Sequence, residues 1–163
     1  MATILAENVV ISSLAEIEES SRGTDFTLGR GSTIDSFVKV KMTGGIGHIF
    51  IGENTTINSG CVLYSGNGVS IGSNVAVAAN CVFAPTNHEF QQREVLIVKQ
   101  GFKPSRGGIV VEDDVWIGAG CVLLDGAILR RGCVIGALSL VRGEVPEYSI
   151  QCGNPLHLVG WRK

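Results

Sequence analysis

From Val111 onward an aliphatic side chain falls at every sixth position: Val111, Ile117, Leu123, Leu129, Ile135 and Val141. Two places before each of the last five stand Val115, Cys121, Ala127, Cys133 and Ser139, a second column of mostly small residues. A helix would space its apolar residues near 3.6 and a half-buried strand near two, so a period of six fits neither as one long element. It fits short straight strands joined by corners. If three strands close a triangular turn of about 18 residues, each aliphatic stop points inward and stacks on its equivalent one turn later, giving an all-β parallel β-helix. Gly118 and Gly136 follow two of the stops and predict tight corners.

The same count runs upstream through Ile51, Ile57 and Leu63, with Thr55 and Cys61 in the small column, and through Ile71, Val77 and Phe83, with Val75 and Cys81. A weaker copy holds Leu28, Ile34 and Val40. Downstream of Ile51 two interruptions break the rhythm. The step from Leu63 to Ile71 is eight, which predicts a two-residue bulge at a corner in "SGNG" (65–68). The step from Phe83 to Val111 is 28, four sixes and four residues more, which predicts a segment looped out of the coil. The expected organisation is a single hexapeptide-repeat domain over 1–163, with one long external loop at about 87–108 and a C-terminal tail at about 144–163.

Composition agrees with one globular domain able to bury a core: 163 residues, 45% hydrophobic and 17% charged, with 22 glycines but no low-complexity tract. A net charge of -2 leaves no electrostatic footprint for nucleic acid. The opening "MATILAENVVISSLAEIEES" lacks a basic start and meets Glu7 before a long apolar run forms, so neither a signal peptide nor a membrane segment is predicted. The default compartment is the cytoplasm. Cys61, Cys81, Cys121 and Cys133 all fall in the small inward column and no CxxC pair occurs. They are expected to be buried small hydrophobes rather than metal ligands or disulfide partners, while Cys152 lies outside the count.

If the repeat is scaffold, chemistry belongs where the chain departs from it. The longest departure is "NHEFQQREVLIVKQGFKPSRGG", 87–108. Such a loop on a rigid frame commonly forms a binding site or lid, and otherwise a surface excursion or subunit contact. His88 follows "CVFAPTN" directly. Its imidazole accepts a proton near neutral pH, which a hydroxyl or amine needs when it attacks an activated acyl group. A histidine that merely caps the loop is the plainer alternative. His48 and His157 have no comparable setting. Trp116, just before a stop in "DDVWIGAG", is either packing or a face for a sugar ring or acyl carrier. Asn58 in "INSGCVLYS" sits at a corner from which its amide would leave the coil, although corner asparagines also serve turn geometry.

The segments "INSGCVLYSGNGVSIGSNVAVAANCVFAPTNHEF" (57–90) and "IVVEDDVWIGAGCVLLDGAILRRGCVIGALSLVRGEVPEYSIQCGNPLHLV" (109–159) resemble the hexapeptide-repeat acyltransferases. The likeness is to the sugar and polysaccharide O-acetyltransferases related to galactoside acetyltransferase. It implies a left-handed parallel β-helix, a homotrimer, and an active site in each groove between adjacent coils with acetyl-CoA lying along it. It further implies that His88 is the general base, that Asn58 contacts substrate, and that Trp116 stands near acceptor and thioester. Gly118, Ala119, Gly136 and Ala137 match the stretches that line the pantetheine arm. Where several relatives carry a lysine for the CoA phosphates this chain has Arg142 and then Gly143, so phosphate contact falls to Arg142 or to the terminal Arg162 and Lys163. Leu138 replaces a more frequent glycine.

The expected function is therefore acetyl-CoA-dependent transfer of an acetyl group to a sugar hydroxyl, in surface polysaccharide or lipopolysaccharide biosynthesis. In this scheme His88 removes the proton, and an N–H near Ala119 donates to the oxyanion. N-acetylation of a nucleotide-linked amino sugar is the enzymatic rival, and a β-helix scaffold for assembly is the non-enzymatic one. Carbonic anhydrase chemistry, which some β-helix trimers perform on a metal held by three histidines, is disfavoured because His48, His88 and His157 are scattered. No metal is expected.

Overall fold

A computed structural model describes residues 3–163. Its strands are two to five residues long and assemble into three sheets, parallel except at the C-terminal end, that form the faces of a coil. One turn runs from Ile49–Ile51 on the first face through Thr56–Ile57 on the second to Val62–Tyr64 on the third. The next repeats it with Val69–Ile71, Ala76–Val77 and Val82–Ala84, in register with the turn before. Every aliphatic stop counted from Leu28 to Val141 is buried, most without any exposed surface. Each such side chain contributes about 1.5–3 kcal/mol relative to exposure, and this repeated column is the core.

The extra residues at "SGNG" widen the corner between the third and first faces, where Gly66 and Gly68 adopt positive φ. After Val82–Ala84 the chain leaves the coil and returns at Ile109–Val111, which pairs directly with Val69–Ile71. The count also reaches one turn further back than expected, through Leu5, Ile11 and Ile17, at the open end where Leu5 stays exposed. At the other end Glu144–Val145 and Ser149–Cys152 extend the first and second faces into the segment expected as a tail. His157–Trp161 then folds back antiparallel on Ser149–Cys152.

The four inward cysteines are buried free thiols. The thiols of Cys61, Cys81 and Cys121 lie 3.1–3.2 Å from the carbonyls of Ala78, Gly118 and Gly136, one turn further along. Burial pushes the Cys133 thiol up to about 12. The glycines that follow the stops serve close approach rather than unusual dihedrals. A Cβ on Gly118 would lie 2.5 Å from the Ala137 nitrogen, and one on Gly136 would lie 2.6 Å from the Cys152 Cβ.

Left-handed backbone is instead concentrated two places later at the corners, where Asn54, Asn74 and Asp114 stack on the first edge and Gly60, Asn80 and Gly120 on the second. Leu138 continues that second series at φ 59, with its side chain 78% exposed. A branched side chain in this region costs about 1–2 kcal/mol. Leu138→Gly is therefore expected to raise stability by about 1 kcal/mol, the relief exceeding the added freedom of the unfolded chain. Thermal unfolding of the variant should show a higher Tm.

Candidate active site

The loop is held at its neck as a two-stranded return. Glu89 N–H donates to the Gly101 carbonyl (3.0 Å) and Lys103 N–H to that of Asn87 (2.8 Å), so His88 faces Phe102 across an antiparallel bridge. The two rings stand 4.8 Å apart, tilted by 51°. The Lys103 ammonium lies 3.9 Å over the Phe90 ring. Further out, the short helix Ile97–Gln100 closes the tip, with the Gln100 amide donating to the carbonyls of Gln92 and Val95 at 2.8 and 2.6 Å.

Where the loop rejoins the coil, Asp125 fixes it. Its carboxylate, 2% exposed, accepts the N–H groups of Arg106 and Gly108 at 2.8 and 2.9 Å. The sequence conceals this role, because "LLDGA" is indistinguishable from a solvated Asp-Gly turn. Its only signal is an acidic residue two places after the stop Leu123, at a corner that the coil buries.

His88 is exposed and opens onto a cleft of about 320 Å³ whose lining includes Thr43, Tyr64, Pro85, Thr86 and Phe102. This cleft lies at the edge between the third and first faces. The exposed side chain of Arg142 is on the same edge, nearer the C-terminus, in a separate hollow with Gln151 and Asn154.

The other expected residues occupy a different part of the coil. Trp116 stands outward on the second face, 54% exposed, in the ladder that includes Thr56, Ala76 and Val134. Asn58, Gly118, Ala119, Gly136 and Ala137 follow at the edge between the second and third faces. Ala119 and Ala137 are exposed there. One chain thus brings Asn58, Trp116 and the two Gly-Ala pairs to one side and leaves His88 with Arg142 across the third face.

Two side chains are committed to the scaffold. The Asn58 amide donates to the Val77 carbonyl at 2.7 Å instead of leaving the coil. Arg162 pairs with Asp114 at 2.9 Å and donates to the Gly132 carbonyl at 2.9 Å. Of the basic groups expected for phosphate, this leaves Arg142 and Lys163. His48 accepts the Asp25 N–H at 3.0 Å near the start of the first-face strand Ile49–Ile51, and His157 sits in the terminal hairpin. Neither adjoins His88, so the histidines do not fit a shared metal site within the chain. Among the described residues no group of three or more His, Cys, Asp or Glu is arranged to hold a metal, and no helix is long and apolar enough to cross a membrane.

Residues 108–143 match the bacterial transferase hexapeptide (six repeats), and residues 48–83 match the hexapeptide repeat of succinyl-transferase. The putative lipopolysaccharide biosynthesis O-acetyl transferase WbbJ of Escherichia coli is 28% identical over 142 residues, 84% of this chain and 69% of that protein. Galactoside O-acetyltransferase of Lactococcus lactis is 28% identical over 107 residues, 66% of this chain and 47% of that one. The mitochondrial gamma carbonic anhydrase 2 of Arabidopsis thaliana is 34% identical over 118 residues, 68% of this chain and 42% of that protein.

Among solved structures, the Vibrio cholerae hexapeptide-repeat acetyltransferase VCA0836, complexed with acetyl-CoA, is similar at a TM-score of 0.64 and 25% identity, over 83% of this chain and 70% of that one. The N-acyltransferase AntD of Bacillus cereus, solved with dTDP and coenzyme A, superposes at a TM-score of 0.82 and 21% identity, over 98% of this chain and 84% of that one. The class defined by repeat and fold is the left-handed parallel β-helix, an exception to the usual right-handed crossover. The chain carries the hexapeptide repeats that these transferase family models describe.

Asp125→Ala is expected to cost about 1–3 kcal/mol by orphaning the buried Gly108 N–H and releasing that of Arg106, and to loosen the loop more than the coil. Limited proteolysis should then cut within 87–108 faster than in the parent, while the β circular-dichroism signal persists.

Proposed function

We propose that the protein is an acetyl-CoA-dependent O-acetyltransferase acting on a sugar hydroxyl, with His88 as general base. The observation that carries this reading is the placement of His88, an exposed imidazole braced against Phe102 at the mouth of a cleft. The hydroxyl attacks the thioester carbonyl as His88 takes its proton. The tetrahedral oxyanion collapses with release of CoA as thiol, and no acyl-enzyme is needed because positioning and proton transfer supply the acceleration.

The acetyl-CoA complex of the Vibrio relative supports the choice of donor, the names of the Escherichia and Lactococcus relatives support oxygen as the acceptor atom, and that of the Escherichia relative supports lipopolysaccharide biosynthesis as its setting. The N-acyltransferase AntD, solved also with dTDP-4-amino-4,6-dideoxyglucose and coenzyme A, keeps an amino-sugar acceptor as the second reading. An acyl-CoA donor puts the reaction in the cytoplasm, where such thioesters are made.

The division of the expected residues between two edges supports a homotrimer. Side by side, parallel copies would bring the His88 edge of one against the edge of the next that carries Asn58, Trp116 and Ala119. The outward column Val62, Val82, Val122 and Leu140 on the intervening third face is aliphatic, as an interface would require. In that assembly Ala119 and Ala137 offer small side chains to the pantetheine arm beside Gly118 and Gly136, and Arg142 meets a CoA phosphate. The Ala119 N–H takes no part in the backbone bonds between coils, which suits an oxyanion donor.

His88→Ala is expected to lower kcat by about a hundredfold or more, the usual contribution of a positioned base, with little change in the KM for acetyl-CoA. Release of free CoA in the presence of an acceptor panel measures this, and wild-type turnover by the variant would sink the assignment. In the same preparation acetyl-CoA should raise Tm through binding to the folded state, an effect that a pure scaffold would lack.

A further inference from the structure

We infer that the cleft beside His88 is the subsite for a neutral sugar ring, and that Tyr64 and Phe102 set its preference by packing against the ring's apolar C–H face. The inference rests on the reading of His88 as the base and deepens it to a substrate class.

The two aromatic walls come from independent elements. Tyr64 ends the third-face strand Val62–Tyr64, and Phe102 arrives on the returning arm of the loop, held opposite His88 by the bridge that orients the imidazole. They are 39% and 52% exposed, so both rings keep surface that a bound ring would cover. Ala84 and Pro85 add further apolar surface, and Thr43 and Thr86 supply side-chain hydroxyls besides that of Tyr64.

Among the described residues of this chain no carboxylate, ammonium or guanidinium lines the space. The cations nearest in sequence are engaged elsewhere, Lys103 over the Phe90 ring and Lys41 with Glu16. A pyranose matches this surface: it has an apolar patch of C–H groups and a rim of hydroxyls, one of which must reach the imidazole. A sugar carboxylate would enter without a counter-charge and would pay the desolvation of an unpaired ion. At about 320 Å³ the cleft is at the small end of ligand pockets, which suits one ring with the rest of a longer glycan left outside.

The test measures acceptor recognition separately from transfer. Neutral methyl hexosides and their matching methyl uronides are compared by ligand-observed NMR with the full chain, and by acetyl transfer at saturating acetyl-CoA. Neutral rings are expected to bind, with the uronides about tenfold weaker or more. Tyr64→Ala and Phe102→Ala should each raise the acceptor KM about tenfold while leaving the KM for acetyl-CoA unchanged, and Tyr64→Phe and Phe102→Tyr should restore it. Equal use of uronides, an acceptor KM that ignores both alanine variants, or no glycoside binding at all would overturn the subsite. Transfer that proceeds regardless of Tyr64 and Phe102 leaves the role of His88 intact and removes this inference alone. Glycoside binding that depends on the aromatics without any transfer does the reverse.

Discussion

Parallel strands stacked one turn above another must keep the same residue position in vertical line, because the backbone hydrogen bonds between turns fix both spacing and register. All else in this molecule follows from that alignment. An inward stop is surrounded by its own equivalents above and below, so it must be apolar throughout, as Ile57, Val77, Ile117 and Ile135 are. A corner that approaches its neighbour too closely for a Cβ must be glycine, as at Gly118. The sulfurs of Cys61, Cys81 and Cys121 are a third consequence, small side chains whose weak donors find the carbonyl of the turn beyond.

Such a scaffold has little freedom to place chemistry inside, and it concentrates variation at its edges. The loop between Ala84 and Ile109 leaves and rejoins the coil without disturbing the ladder, since Ile109–Val111 still pairs with Val69–Ile71. What makes the loop more than an excursion is its anchoring. The return strand at its neck fixes His88 against Phe102, and the Asp125 carboxylate ties the far end to the next turn. The imidazole is thereby held at a defined place beside the cleft although it lies outside the regular fold.

The coil was legible in the sequence because its constraint is periodic: each stop from Leu28 to Val141 announced its burial by its spacing. The turn through Leu5, Ile11 and Ile17 was harder to see, since at an open end the same spacing brings less burial and polar neighbours dilute it. The candidate site was legible in part. His88 stood out as an interruption, but the partners that hold it are contacts across the loop, and no local pattern encodes that Phe102 will return to position 88 or that Asp125 will be buried. Asn58 shows the opposite failure. Its corner position was evident, while the bond that turns its amide toward the Val77 carbonyl depends on the turn above. The separation of His88 from Trp116 across the third face is likewise invisible to a linear count.

A coil of this kind has no intrinsic length, and each terminal turn presents unpaired backbone that another copy could extend. The strand His157–Trp161 answers that hazard at one end by running antiparallel along Ser149–Cys152, with Arg162 latched to Asp114 and the Gly132 carbonyl behind it. By reversing direction it covers the last parallel strand of the second sheet with an antiparallel one. The first and third sheets, by contrast, end there on Glu144–Val145 and Leu140–Val141 with no reversed strand beside them among the described residues.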